Sequence, residues 1–471
     1  MTIKIPIAHS SRLEDWIKLF NIYFTAFSLN LMSFIAGLTF SWASPSIPYL
    51  NGSKDPHVNP LPEKITLAES SWLTAFIFIG AMIGNLITMV IVKKLGRKIS
   101  LMIMLVPTML GYLMFALAGD LIAFYFARIF NGLTLGAIMQ VVPVYVAEIA
   151  SKERRGALGC FFAIFLATGQ VYVYAVGPSV SFENFQYINL VFPCSAFILI
   201  GLFVDESPFH FVDKGNMERA QAVLARLRPG ADDKQLKDEL QEISQCIAVK
   251  QEQLDYKQLF AQGALRKALI IAIALMVSIQ VSIINPVVSY METIFTESDT
   301  GISPQMSSVY VALLQLVVML VIPHIVDLFG RKILLTIGQI FVTVSITALG
   351  AYFFLKGNDY DVSALAWLPL ASILVFIVAF AVGVGSVTYV VIGEILPDNA
   401  KNVMSTISIL INNIVAFVIL FVFPLLEDGI GSAPTYWIFS GLCALTVLFL
   451  IVVLPETKGK SLIEIQELLG E

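Results

Sequence analysis

Apolar residues do not alternate with polar ones along this chain. They collect in twelve stretches of about 20 residues, nearly free of charge, near 21–44, 72–92, 99–119, 122–147, 157–178, 187–204, 267–290, 306–326, 333–355, 367–392, 403–426 and 434–454. Each is long enough to cross the hydrocarbon core of a bilayer as a helix. Lipid offers no water to an open backbone, so each stretch is expected to be helical, and the short alternating segments of a β-barrel do not appear. The pattern predicts an all-α membrane protein with twelve transmembrane helices.

Composition agrees. Of 471 residues, 57% are hydrophobic and only 13% charged, with a mean hydropathy of +0.82; a soluble protein carries about 25% charged residues. The first 20 residues include Lys4, Arg12, Glu14, Asp15 and Lys18, so the first apolar run is expected to be a span rather than a cleaved signal. Basic residues set the orientation, because Lys and Arg collect in cytoplasmic loops. Lys93, Lys94, Arg97 and Lys98 follow the second span, Lys152, Arg154 and Arg155 the fourth, and Arg331 and Lys332 the eighth. The opposite loops carry only Lys54, Lys64 and Lys356. Both termini are therefore expected in the cytoplasm, and the sequon at Asn51 outside, open to glycosylation. Cys160, Cys194, Cys246 and Cys443 are scattered, without a disulfide or metal spacing.

The chain reads as two halves. Six spans make up 1–204, a polar linker follows at 205–266, six more spans fill 267–454, and a tail occupies 455–471. In the linker, Ala220, Val223, Leu224 and Leu227 share one helical face, as do Leu236, Leu240, Ile243 and Ile247. Short amphipathic cytoplasmic helices are expected there. Three motifs recur in both halves in one order. "VKKLGRK" (92–98) answers "VDLFGRK" (326–332), "PVYVAEIASKERRGAL" (143–158) answers "YVVIGEILPDNAKNVM" (389–404), and "DESPF" (205–209) answers "PETKG" (455–459). They set Arg97 opposite Arg331, Glu148 opposite Glu394, Arg155 opposite Lys401 and Glu206 opposite Glu456. Such duplication is how several transporter folds are built. The physical expectation is a pair of charged clusters that close the cytoplasmic face reversibly, Arg97, Glu148, Arg155 and Glu206 in one, Arg331, Glu394, Lys401 and Glu456 in the other.

With these motifs the chain resembles the sugar porter family of the major facilitator superfamily over nearly its whole length. "SWASPSIPYL" (41–50) and "ITLAESSWL" (65–73) are most similar to its insect facilitated trehalose transporter-like branch. The resemblance implies a major facilitator fold, passage of a small neutral sugar across the lipid bilayer, and gating clusters that lock the outward-open state. It implies the plasma membrane as the setting. Three departures weaken that lock: Lys93 in place of an acid, Phe209 in place of Arg, and Lys401 in place of an Arg whose fork it cannot copy.

Sugar hydroxyls need donors and acceptors inside the membrane. "IQVSIINPVVSYMETIF" (279–295) resembles the family's seventh-span signature, with Gln280, Ser282, Asn285 and Tyr290 in place and Ile279 and Ile283 substituting the usual Gln and Gly. Gln170, Gln315 and Asn412 match further candidate substrate positions, and Tyr389 stands where the tenth span usually offers Trp for stacking. Ala163, Asn413 and Ser386 replace a Gln, an aromatic and a Pro, leaving a less polar and less aromatic pocket.

No Asp or Glu falls between Asp15 and Asp55, and Glu148, Asp327 and Glu394 sit at cytoplasmic ends. Intramembrane acids are the usual proton relays, so passive uniport is expected. Arg128 is expected to brace helices. Gly80, Gly84, Gly132, Gly136, Gly169, Gly383 and Gly385 follow no strand and imply no nucleotide loop; close helix approach and rocking between the halves is the expected use. No nucleophile–base set or metal cluster suggests an enzyme, and no ATP, prosthetic group or nucleic acid is expected. The leading expectation is a facilitative transporter of a hexose, trehalose or polyol. The alternatives are a sugar-binding receptor that no longer transports and a carrier of a less polar solute.

Overall fold

The computed structural model describes residues 9–52, 59–151, 154–228, 230–251, 263–298, 301–326, 329–397, 400–460, 464, 465 and 468. Within them twelve helices are long and apolar enough to cross a membrane: span 1 (Ile22–Leu50), span 2 (Leu67–Leu95), span 3 (Arg97–Leu117), span 4 (Leu121–Ile149), span 5 (Gly156–Ser179), span 6 (Phe182–Phe203), span 7 (Gly263–Ser289), span 8 (Pro304–Ile322), span 9 (Arg331–Gly357), span 10 (Ser363–Ile395), span 11 (Val403–Ile430) and span 12 (Ser432–Val452). No strand occurs among the described residues.

Local chemistry explains where helices begin. Thr66 and Glu69 form a reciprocal capping box at the start of span 2, Thr66 N donating to the Glu69 carboxylate at 2.7 Å. Asp120 accepts from Ala123 N at 2.8 Å before span 4, and Ser181 caps span 6. Each satisfies a backbone donor that the first helical turn leaves without a partner.

Glycine packs helices closely within each half, the close approach expected from sequence. A Cβ on Gly80 of span 2 would lie 2.8 Å from Gly132 Cα of span 4, and Gly37 of span 1 and Gly169 of span 5 exclude one another's side chains in the same way. Gly338 of span 9 meets Gly383 of span 10, again at 2.8 Å from a built Cβ.

The halves meet along spans 2 and 11 and spans 5 and 8. Specific contacts between them gather on the face opposite the linker. Trp72, at the start of span 2, packs on Phe421 of span 11 with ring centroids 4.4 Å apart. Tyr174 Oη donates to Val288 O at 2.8 Å, and Glu292 N donates to Ser44 Oγ at 3.1 Å.

Two spans are irregular. Span 7 is interrupted at Ile283, a left-handed residue with φ +54°, and resumes as Ile284–Ser289 and then Met291–Ser298. Span 10 widens into a π-helical segment at Phe380–Gly385, where Ser386 Oγ donates to Ala381 O at 2.7 Å. The linker forms Pro208–Asp213, Met217–Leu227 and Asp233–Gln251, sharing a core of Val212, Ala220, Leu224, Leu236, Leu240 and Ile243.

Candidate functional site

On the linker face the duplicated motifs build two nearly identical clusters, one per half. In the first, the Arg97 guanidinium pairs with Glu148, which is 8% exposed, and Ser207 Oγ donates to the other Glu148 oxygen at 2.6 Å. In the second, Arg331 Nε donates to Glu394 at 3.3 Å and Thr457 Oγ1 to the same carboxylate at 2.5 Å. Among the described residues, the hydrogen bonds of Glu206 and Glu456 go to backbone N–H groups. Glu206 accepts from Arg97 N and Lys98 N at 2.8 and 3.0 Å, and Glu456 from Arg331 N and Lys332 N at 2.9 and 3.2 Å. Glu206 thus caps the N-terminus of span 3 and Glu456 that of span 9, where free N–H groups and the helix dipole favour negative charge. Gly96 and Gly330 are required by this arrangement, because a Cβ on either would strike the capping carboxylate. Lys401 Nζ donates to Gly393 O at 2.8 Å. The Arg155 side chain lies outside the described residues. Ser207 and Thr457 were missed in the sequence, though a hydroxyl after each matched glutamate was the available signal.

The seventh-span signature forms a chain of amides around the break. Gln280 Nε2 donates to Asn412 Oδ1 at 2.8 Å, and Asn285 Nδ2 donates to Gln280 Oε1 at 2.5 Å. Ile283 makes this possible: the reversal of the backbone there turns Asn285 back toward Gln280, a pairing that a continuous helix disfavours at five residues' separation. Within the trio the Asn412 amide nitrogen and the Asn285 oxygen are not used. Gln170 of span 5 is 4% exposed and its Oε1 has no partner. Gln315 is half-buried on span 8, and Tyr389 is 56% exposed on span 10 just past the π-helical segment. None of these three hydrogen-bonds to the trio. Tyr290 stands apart, 6% exposed beside Ser70 and Thr74 of the other half, at the closed face. Ile279 is 6% exposed and packs into the second half's core with Leu275 and Met276.

Arg128 is fully buried without a carboxylate partner among the described residues. It donates to Thr39 O and Leu73 O at 3.1 Å and to Thr74 O at 3.3 Å, and its guanidinium carbon lies 5.0 Å from the Trp42 ring centroid. Acids inside span 11 were overlooked, the partly buried Glu427 above all. Glu427 lies inside span 11, near Tyr436 and Ser432 of span 12 and Glu297. Its signal was Gly431, whose φ of +91° ends the helix beyond the glutamate.

Two six-helix repeats, clustered charges at matched span ends and an amide chain at a broken helix define a membrane carrier. The profile described as "Sugar (and other) transporter" matches residues 17–469, and the chain belongs to that family, within the major facilitator superfamily. It is similar to the facilitated trehalose transporter Tret1 of Bombyx mori, 30% identical over 444 residues that cover 94% of this chain and 85% of the relative. A Tret1 from Apis mellifera ligustica is 28% identical, covering 92% and 88%. Among solved structures, the partially occluded inward-open xylose transporter XylE from E. coli superposes with a TM-score of 0.77 at 23% identity, covering 94% of this chain and 99% of that one. The human organic anion transporter MFSD10 shares the fold at a TM-score of 0.55 and 14% identity, covering 92% and 99%. The protein is a multi-pass membrane transporter and not an enzyme.

Proposed function

We propose that the chain is a facilitative sugar uniporter that works by alternating access, with trehalose, a hexose or a polyol as solute. The observation that carries the sugar reading is the amide chain of Gln280, Asn285 and Asn412 at the break in span 7, which presents an acceptor and donors suited to hydroxyls. The Tret1 relatives favour trehalose. Gln170, Gln315 and Tyr389 line the route of the solute, and Tyr290 belongs to its closure. The contacts between the halves on the face opposite the linker support a carrier closed outside and poised to open toward the cytoplasm, with both termini cytoplasmic, Asn51 outside and the plasma membrane as the setting.

Uniport rests on the surroundings of Arg128. Main-chain carbonyls and an indole face satisfy its guanidinium, so no carboxylate there can exchange a proton with it. Glu427 is fifteen residues beyond Asn412, about 22 Å of helix, and so is remote from the amide chain. Uptake recorded together with membrane current, at acidic and neutral external pH, tests this reading. Saturable uptake without current, and alike at both pH values, is expected. A sugar-evoked inward current would overturn it.

A further inference from the structure

Span 4 carries Glu148 and stops one residue later. Its cap, Ala150, is extended at φ −71° and ψ 140°, so the last-turn carbonyls have no helical donors of their own. Two of them are claimed from the linker. Arg228, the residue that ends the Met217–Leu227 helix, donates from Nη1 to Ile149 O at 2.8 Å and from Nη2 to Ala150 O at 3.1 Å. The same guanidinium forks onto Glu239 of the Asp233–Gln251 helix, Nε to Oε2 at 3.2 Å and Nη2 to Oε1 at 2.8 Å. Its side chain is only 12% exposed. Beside it, Val223 and Leu227 turn away from the linker's own core and into the core beneath the spans. One cation therefore joins two of the three linker helices, Met217–Leu227 and Asp233–Gln251, to the end of span 4, where positive charge also complements the helix dipole.

We propose that Arg228 is a positioning residue of the gate: by holding the Ile149 and Ala150 carbonyls it keeps Glu148 in register with Arg97 and Ser207. This rests on the transporter reading above. Only a planar fork can bind two carbonyls and both oxygens of a carboxylate at once, so lysine is a poor substitute. In the second half, the residue that reaches the end of span 10 is Lys401, whose ammonium donates to Gly393 O. The linker is thus an arm of the first half, and the two gates are held differently.

The test compares wild type with Arg228→Ala, Arg228→Lys and the charge exchange Arg228→Glu/Glu239→Arg, all as full chains at matched surface amounts. The exchange restores an ion pair between the linker helices but turns a carboxylate toward the two carbonyls. Net uptake of labelled trehalose or glucose requires the empty carrier to reorient, whereas exchange between equally loaded sides does not. All three variants are expected to lower the ratio of net uptake to exchange, roughly fivefold or more. Rescue of the ratio by the charge exchange, or a wild-type ratio in Arg228→Lys, would reduce Arg228 to a staple within the linker and overturn the proposal. Amide hydrogen exchange on the purified proteins needs no sugar. Faster exchange near residues 145–150 and 97–100 in all three variants is expected, and unchanged exchange would contradict the proposal. If wild type moved neither sugar, the substrate reading would fail while the amide measurement still decided the role of Arg228.

Discussion

A glutamate that caps a helix leaves little room for what precedes that helix. Gly96 sits at φ +87°, and a Cβ there would collide with Glu206; Gly330 sits at φ −67° and would collide with Glu456. Alanine at position 96 therefore adds left-handed strain of about 1–2 kcal/mol to the loss of a cap worth about 1 kcal/mol. Alanine at 330 incurs only the second. Gly96→Ala is expected to lower the melting temperature more than Gly330→Ala; equal losses would count against this geometry. Glu148 is buried and Glu394 part-exposed, each in a charge-assisted pair; on the proposed gating role, Glu148→Gln or Glu394→Gln is expected to weaken closure of the linker face by roughly 1.5–3 kcal/mol. Either should increase labelling of engineered cysteines from the cytoplasmic side, and unchanged labelling would remove these pairs from the gate.

At the scale of the element, span 7 depends on one residue that breaks its own rule. Ile283 is β-branched, fully buried and left-handed, a combination held only by its surroundings. It faces a small cavity that it shares with Val287, Ile346, Ile373 and Phe376. Truncation there should reverse the usual helical order of stability. Ile283→Gly is expected to melt higher than Ile283→Ala, by about 1 kcal/mol, because only glycine adopts this backbone freely; the opposite order would mean the break is not left-handed in solution. The break explains what sequence could and could not tell. Twelve spans were legible because lipid requires long uncharged runs, and the amphipathic linker because its apolar residues share a face. Gln280, Asn285 and Asn412 were legible as a set, although their mutual bonding needed the backbone reversal. The conformation of Ile283 was hidden, since the usual glycine is absent. The capping role of Glu206 and Glu456 was hidden too, because charge alone suggested ion pairs. Glu427 escaped notice because apolar content fades before the helix does.

For the whole molecule, the decisive arrangement is that charged clusters lie within each half on one face while contacts join the halves on the other. Tyr174 is the clearest of those joining groups. Tyr174→Phe removes its hydrogen bond to Val288 O, worth about 1 kcal/mol, and should raise labelling of Ser44→Cys by an external thiol reagent roughly fivefold. No increase would show that this contact does not hold the outer face shut. The proposed site is the amide chain, and on that proposal the carrier needs its solute bound there in both states. The most direct measurement is therefore uptake of labelled trehalose and glucose by wild type beside a Gln280→Ala/Asn285→Ala double variant at equal surface amount. Saturable uptake in wild type, reduced at least about tenfold in the double variant, is the predicted result. Undiminished uptake in the double variant, or none in a well-expressed wild type, would contradict a sugar site at the break in span 7.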